Sequence, residues 1–341
     1  MNNMRRVNLK KFLLILNCIS AVFLAFGCSG TVSTGPVSAD RLIREAAEII
    51  RSALADSDPQ IRVKAIEVVA DTRQVEFAPI VQLLLTDDFI PVRFAAASAV
   101  GDMRYYPART TLEKLLDVPD ENTRLAAAYA LANLGSAHRI SLLRQALNST
   151  DQTVRANAAL LLGRIGDKDS LQSLYKVMRN RDTPDKVGFQ AAEAIAGLGD
   201  ETIYPKLWTM LISAYADVRT MGVKAMGALG TAKAADALVT MLDDDILEVR
   251  LAAAEQLGML GSLAGRQQVL DVFGENVAVQ LSAEDRERVN VLTALAIGQI
   301  RTPELTAFLP RLLKDRSKLV RIAAAKAVFQ VKIASMPART P

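Results

Sequence analysis

Histidine occurs once in this chain of 341 residues, as His138, and cysteine twice, as Cys18 and Cys28. A single histidine leaves no room for His-rich metal centres, and nothing in the spacing offers His138 carboxylate partners. Two cysteines, one of them inside an apolar leader, exclude a disulfide framework. Aromatics make up only 5% of the residues. The interior must therefore be filled by small aliphatic side chains, as in closely stacked helices. No Pro/Gly/Ser-rich linker interrupts residues 40–335, which argues for one continuous folded body. A Ser nucleophile elbow, a phosphate-cradling Gly loop and a Cys-His pair are also missing.

The formal net charge of +4 comes from the N-terminus. Arg5, Arg6, Lys10 and Lys11 lie within residues 1–27, which contain no acid. The rest of the chain carries as many basic as acidic residues, 37 of each. That balance gives a mixed, solvated surface and excludes a sequence-wide basic footprint, so no nucleic-acid partner is expected.

The same N-terminus reads as an export signal. A basic start is followed by an apolar stretch from Phe12 to Phe26, too short for a comfortable membrane span and suited to a signal core. It ends in Leu24-Ala25-Phe26-Gly27-Cys28. This resembles the lipobox of bacterial lipoproteins, in which a small residue precedes the cysteine. The resemblance implies diacylglyceryl (palmitate-type) modification of Cys28, cleavage before it, and anchoring by several acyl chains. Ala25 stands where that family favours Leu. Ala25-Phe26-Gly27 also fits an ordinary cleavage site, so soluble export and an uncleaved anchor stay open. Ser29 after the cysteine is compatible with outer-membrane sorting. The expected organisation is a signal peptide over 1–27, a flexible tether over 28–39, a folded body over 40–335 and a tail over 336–341.

Internal repetition dominates the body. An anchor column runs Arg62, Arg93, Arg124, Arg155, Gly188, Arg219, Arg250, Asn290, Arg321, spaced 31, 31, 31, 33, 31, 31, 40 and 31 residues apart. Three residues after each anchor stands a small or short side chain (Ala65, Ala96, Ala127, Ala158, Ala191, Gly222, Ala253, Thr293, Ala324). Seven after stands an apolar one (Val69, Val100, Leu131, Leu162, Ile195, Met226, Leu257, Ile297, Val328). Offsets of three, seven and ten define one face of a helix. Asp58, Asp120 and Asp151 fall at N-cap positions, and Gly135, Gly166, Gly199, Gly230 and Gly261 fall where a left-handed residue ends a helix. A second apolar segment, such as Ile140–Leu147, precedes each anchor helix and pairs with it.

The Asp-x-x-x-Val-Arg start and the Leu-Gly end resemble HEAT-like repeats of the short type found in phycobilin lyases. The resemblance covers nearly all of 40–335. It implies an all-α fold, an α-α superhelix (right-handed solenoid) of about nine two-helix HEAT-like repeats. Two enzymatic branches share such repeats. Phycobilin lyases act in the cytoplasm, from which the export signal points away. Deoxyhypusine hydroxylases carry paired His-Glu motifs for two irons, which a chain with one histidine cannot supply. No catalytic residue, metal ligand or cofactor is assigned.

Solenoids present a curved surface lined by one helix of each pair. Five residues after the anchor the residue type varies freely: Glu67, Ser98, Tyr129, Leu160, Glu193, Lys224, Glu255, Leu295, Lys326. This column is the expected outward-facing, partner-binding surface, with Tyr129 and Leu160 adjacent as an apolar spot. The nine extra residues around Gly274–Glu284 and the Tyr105-Tyr106-Pro107 turn are further candidates. The arginine column reads as scaffold, each Arg pairing with an Asp of the neighbouring repeat. The functional expectation is a non-catalytic protein-binding scaffold of the bacterial cell envelope, lipid-anchored to the outer membrane or the outer face of the cytoplasmic membrane, with an unknown protein partner. A lyase-like or cofactor-handling protein and a structural spacer are the alternatives.

Overall fold

The computed structural model describes residues 39–180, 183–274 and 281–335. Cys28 and the rest of the N-terminal leader and tether, most of the insertion near 274–284, and the tail over 336–341 lie outside the described residues. Within them every regular element is a helix, and none is long and apolar enough to cross a membrane.

Nine helix pairs form an α-α superhelix. The second helices are Pro59–Asp71, Ile90–Asp102, Glu121–Asn133, Gln152–Ile165, Asp185–Gly197, Ala216–Leu229, Leu247–Met259, Ala283–Ile300 and Lys318–Ser335. Each packs on the next. The columns at offsets three and seven are buried almost throughout: Ala65, Ala96, Val100, Ala158, Leu162, Ile195 and Ile297 have no exposed surface. One pair cannot bury both faces alone, so stability comes from stacking. Fully burying one such Val, Leu or Ile contributes ~1.5–3 kcal/mol.

The ends follow the sequence. Asp58 accepts from the Gln60 amide at 2.8 Å, Asp120 from Thr123 at 2.7 Å, and Asp151 from Thr153 at 2.6 Å. Each satisfies an N–H that the first helical turn leaves free. Gly135, Gly166, Gly199, Gly230 and Gly261 all have positive φ, as a left-handed helix end requires.

The anchor arginines do more local work than salt-bridging. Nη1 of Arg62, Arg93, Arg124, Arg155, Arg219, Arg250 and Arg321 each bonds the carbonyls five and six residues earlier, clamping the turn before its own helix. An ion pair to the next repeat's turn is added in two cases among the described residues, Arg62–Asp87 at 2.8 Å and Arg219–Asp244 at 2.7 Å. Arg93 meets Thr123 instead.

A second set of glycines has a role the sequence reading did not assign. Eight residues after the anchor stand Gly101, Gly163, Gly227, Gly258 and Gly298, inside helices, not at their ends. A Cβ on Gly101 would lie 2.7 Å from Ala130 Cα, and one on Gly163 2.9 Å from Ala194 Cα. At Gly101, Gly163, Gly258 and Gly298 consecutive second helices approach backbone to backbone, and at Gly227 the Gln256 side chain fills the space.

A stack of nine layers runs roughly 80–90 Å along its curve, and here the curve closes on itself. The last helix, Lys318–Ser335, packs against both helices of repeat one, Ala39–Leu54 and Pro59–Asp71. Lys318 Nζ lies 2.6 Å from Asp56 Oδ2, and Lys326 Nζ 2.7 Å from Asp71 Oδ2. Asp56 precedes Arg62 by six residues, as Asp87 precedes Arg93. The seam therefore repeats the Arg62–Asp87 link between repeats one and two, with a lysine as donor. Where the other repeats carry Gly or Ala eight residues after the anchor, repeat nine carries Phe329, buried at 1% exposure.

Candidate functional site

Closure turns the faces of the second helices at offsets five and nine toward one another. Glu255 of repeat seven feels the charges of Lys224, of Lys326 in repeat nine and of Asp71 in repeat one. Groups from repeats that are not neighbours meet only on a concave side. Burial pushes the Glu255 carboxyl above its ordinary range, against the pull of the two lysines.

The candidate column behaves unevenly on this face. Glu67 and Lys224 are exposed, and Leu160, Glu193, Glu255, Leu295 and Lys326 are half-buried. Ser98 and Tyr129 are buried at 2% exposure, so the expectation that they face outward fails. The reason is the curvature: the close helix approach at Gly101 draws repeats two and three together and encloses both side chains. The apolar spot of Tyr129 with Leu160 does not form as an open surface. Instead the Tyr129 hydroxyl donates a hydrogen bond to Asp102 Oδ1, whose other oxygen is 3.6 Å from Arg164. Burial raises the Asp102 pKa despite Arg164 and Tyr129, and burial beside that carboxylate raises that of Tyr129. Several column members are already engaged: Glu67 with Lys64 and Glu193 with Gln190 within their own helices, and Lys326 with Asp71 across the seam.

His138 is exposed at the start of a first helix, and no three His, Cys, Asp or Glu side chains converge among the described residues. Tyr106 of the third candidate turn is 60% exposed.

Two departures from the repeat stand out, one at each end of the second helices. At the N-cap position, where repeats one, three and four carry Asp, repeats two, six and seven carry Phe89, Tyr215 and Ile246. None makes a side-chain cap bond. All three are exposed, Tyr215 to 71%. Giving up an Asp cap costs about 1 kcal/mol each. Tyr215 and Ile246 belong to consecutive repeats, and Ile212, 66% exposed, precedes Tyr215 by three residues.

At the other end, eleven residues after the anchor, five repeats carry the left-handed glycines. Repeats one, two and eight carry Arg73, Arg104 and Arg301, with φ of 48°, 51° and 60°. Repeat nine carries Lys332. Beside Arg73 and Arg104 a cavity of about 630 Å³ opens across repeats one to four, lined also by Asp71, Asp102, Asn133 and Arg164. The sequence signal for both sets was present as a broken column, at caps and helix ends, and not in the column that varied most freely.

Comparison with known proteins agrees with this architecture. The family model for HEAT repeats matches residues 77–151, 140–221 and 205–283. No curated protein matches the sequence. Among solved structures, the chain is similar to the CpcE–CpcF complex of phycocyanin lyase from Nostoc sp. PCC7120, with 21% identity, TM-score 0.43, and coverage of 70% of this chain and 95% of that one. It is similar to human deoxyhypusine hydroxylase at 20% identity, TM-score 0.38, covering 78% of this chain and 99% of that one. It is also similar to the karyopherin Kap121p at 14% identity, TM-score 0.35, covering 84% of this chain and 37% of that one.

Proposed function

Since the chain belongs to the HEAT-repeat family, we propose that it is a non-catalytic protein-binding scaffold, held at a membrane of the bacterial cell envelope through a lipidated Cys28. The observation that carries the scaffold reading is the exposed trio Phe89, Tyr215 and Ile246 at cap positions. Each puts a large, mostly apolar and exposed side chain where other repeats carry a capping Asp, the Phe89 ring also lying against the Arg62 guanidinium at 5.7 Å. Apolar groups kept exposed at a cost to the helix suit a surface that a partner covers. Ile212 and Tyr215 are three residues apart, and Ile246 holds the Tyr215 position in the next repeat. The anchor rests on the lipobox-like Leu24–Cys28 and on the Ser29–Pro36 tether, which extended reaches roughly 25 Å from the bilayer.

A photo-crosslinking residue in place of Tyr215, activated in intact cells, tests the scaffold. The proposal expects a discrete crosslinked protein that is absent when the same residue replaces exposed Lys206 on a first helix. Equal, diffuse crosslinking from both positions would leave the structural-spacer account instead.

A further inference from the structure

Arg73, Arg104 and Arg301 hold a backbone conformation that glycine adopts freely and that costs other residues about 1 kcal/mol or more. Favourable interaction with the helix C-terminus does not account for them, because a cation one residue earlier would serve the dipole without a left-handed backbone. Closure adds a fact invisible along the chain. Repeats eight, nine, one and two are consecutive around the ring, so Arg301, Lys332, Arg73 and Arg104 form one unbroken basic arc at the C-terminal ends of the second helices. The remaining five repeats are glycine at that position.

The part of the arc at repeats one and two opens onto the 630 Å³ cavity. Asp102 there is already taken by Tyr129 and Arg164, and Asp71 by Lys326. The guanidinium groups of Arg73 and Arg104 are exposed and make no hydrogen bond or ion pair among the described residues. Each offers a planar fork that matches a carboxylate bidentately.

We infer that this cleft binds an acidic peptide segment of a protein partner, with Arg73 and Arg104 each receiving one carboxylate. The inference deepens the scaffold reading and rests on it. A peptide fits the lining better than a phosphate-rich ligand does. Asp71 and Asp102 would repel a ligand that carries only acceptors, whereas a peptide also brings backbone N–H donors that they and the Asn133 amide oxygen can accept. The spacing selects the sequence. Arg73 and Arg104 sit one repeat apart, about 9–10 Å at the backbone. A peptide in the polyproline II conformation covers that distance in three residues at ~3.1 Å each, one full turn, so that side chains three positions apart face the same way. The preferred segment therefore carries acidic residues three positions apart.

The test is a titration of the full-length protein in neutral detergent with a fluorescent peptide, Ser-Glu-Ala-Thr-Glu-Ser. Its controls are the peptide with both glutamates changed to glutamine, a peptide with the two glutamates adjacent, inorganic phosphate, and vesicles of phosphatidylglycerol against phosphatidylcholine. The glutamate peptide should bind at least tenfold more tightly than either control peptide. Arg73→Gly and Arg104→Gly should each weaken it at least fivefold while leaving the melting temperature unchanged or higher, because glycine suits the left-handed backbone. A purely structural arginine would show the opposite pattern, a lower melting temperature with peptide affinity unchanged. Equal binding of the glutamine peptide, unchanged affinity in the double glycine variant, or arginine-dependent binding of phosphate or phosphatidylglycerol without peptide binding would each overturn the inference. A partner crosslinked at Tyr215 alongside any of those results overturns this inference and leaves the scaffold standing.

Discussion

Asp56 and Lys318 are separated by 262 residues, yet closure makes them partners at 2.6 Å. If the ring is closed, their mutational effects on stability must be coupled. Asp56 has 11% of its side chain exposed and Lys318 52%. Surface pairs contribute ~0.2–1 kcal/mol, and hydrogen bonds to charged groups ~1.5–3 kcal/mol. A pair buried on one side only falls between them, at about 1 kcal/mol. Asp56→Asn, Lys318→Met and the double variant, compared by urea denaturation, give the coupling directly. The pH dependence has a defined sign. The hydrogen bond from Lys318, followed by that from the Asp58 amide, holds the Asp56 carboxyl below its ordinary range. A carboxyl depressed by folding contributes stability above its unfolded pKa of ~3.9 and loses it as the pH falls through the folded value. The coupling should be complete at pH 7 and disappear in strong acid. Effects that add to within ~0.3 kcal/mol at pH 7 would refute closure through this contact.

Other outcomes follow from the same geometry. Gly101→Ala should destabilise the protein by ~1–3 kcal/mol through overpacking against Ala130, measured by chemical denaturation, whereas alanine at open Gly197 should not. Glu255 is raised by burial, so its ionised form costs stability above its folded pKa. Glu255→Gln should therefore raise the melting temperature at pH 7 and have no such effect in acid, where both side chains are neutral. Cys28→Ser should abolish incorporation of labelled palmitate and shift the protein from the membrane pellet to the soluble fraction.

The fold was legible because stacking forces each helix to repeat one pattern. Ala at offset three and Val, Leu or Ile at offset seven, with Asp caps and Gly ends, fix helix positions within a residue or two. Closure was not legible in that way, since it depends on small rotations summed over nine interfaces. One residue-level clue existed. The terminal helix of an open stack keeps a polar outer face, but Lys318–Ser335 buries Ile322, Ala323, Ala324, Ala325, Ala327, Val328 and Phe329, leaving little of its circumference for water. The same curvature explains why freely varying residues were a poor guide to the surface. Ser98 and Tyr129 are buried, and Tyr129 meets solvent only where it lines the cleft beside Arg73 and Arg104. Residues that break a rule the fold imposes, such as Tyr215 without a cap bond and Arg73 with positive φ, carry more functional information.

The contiguous basic arc over repeats eight, nine, one and two stands on the ring being closed. The most direct test is the distance between spin labels carried by noncanonical residues at exposed Ser57 and Arg316, which leaves Cys28 untouched. Each lies one or two residues from the Asp56–Lys318 contact. At 3.8 Å per residue plus the label arms, closure predicts a single narrow distribution below about 25 Å. A distribution centred at roughly 40 Å or more, as an open stack of nine layers would give, would contradict it.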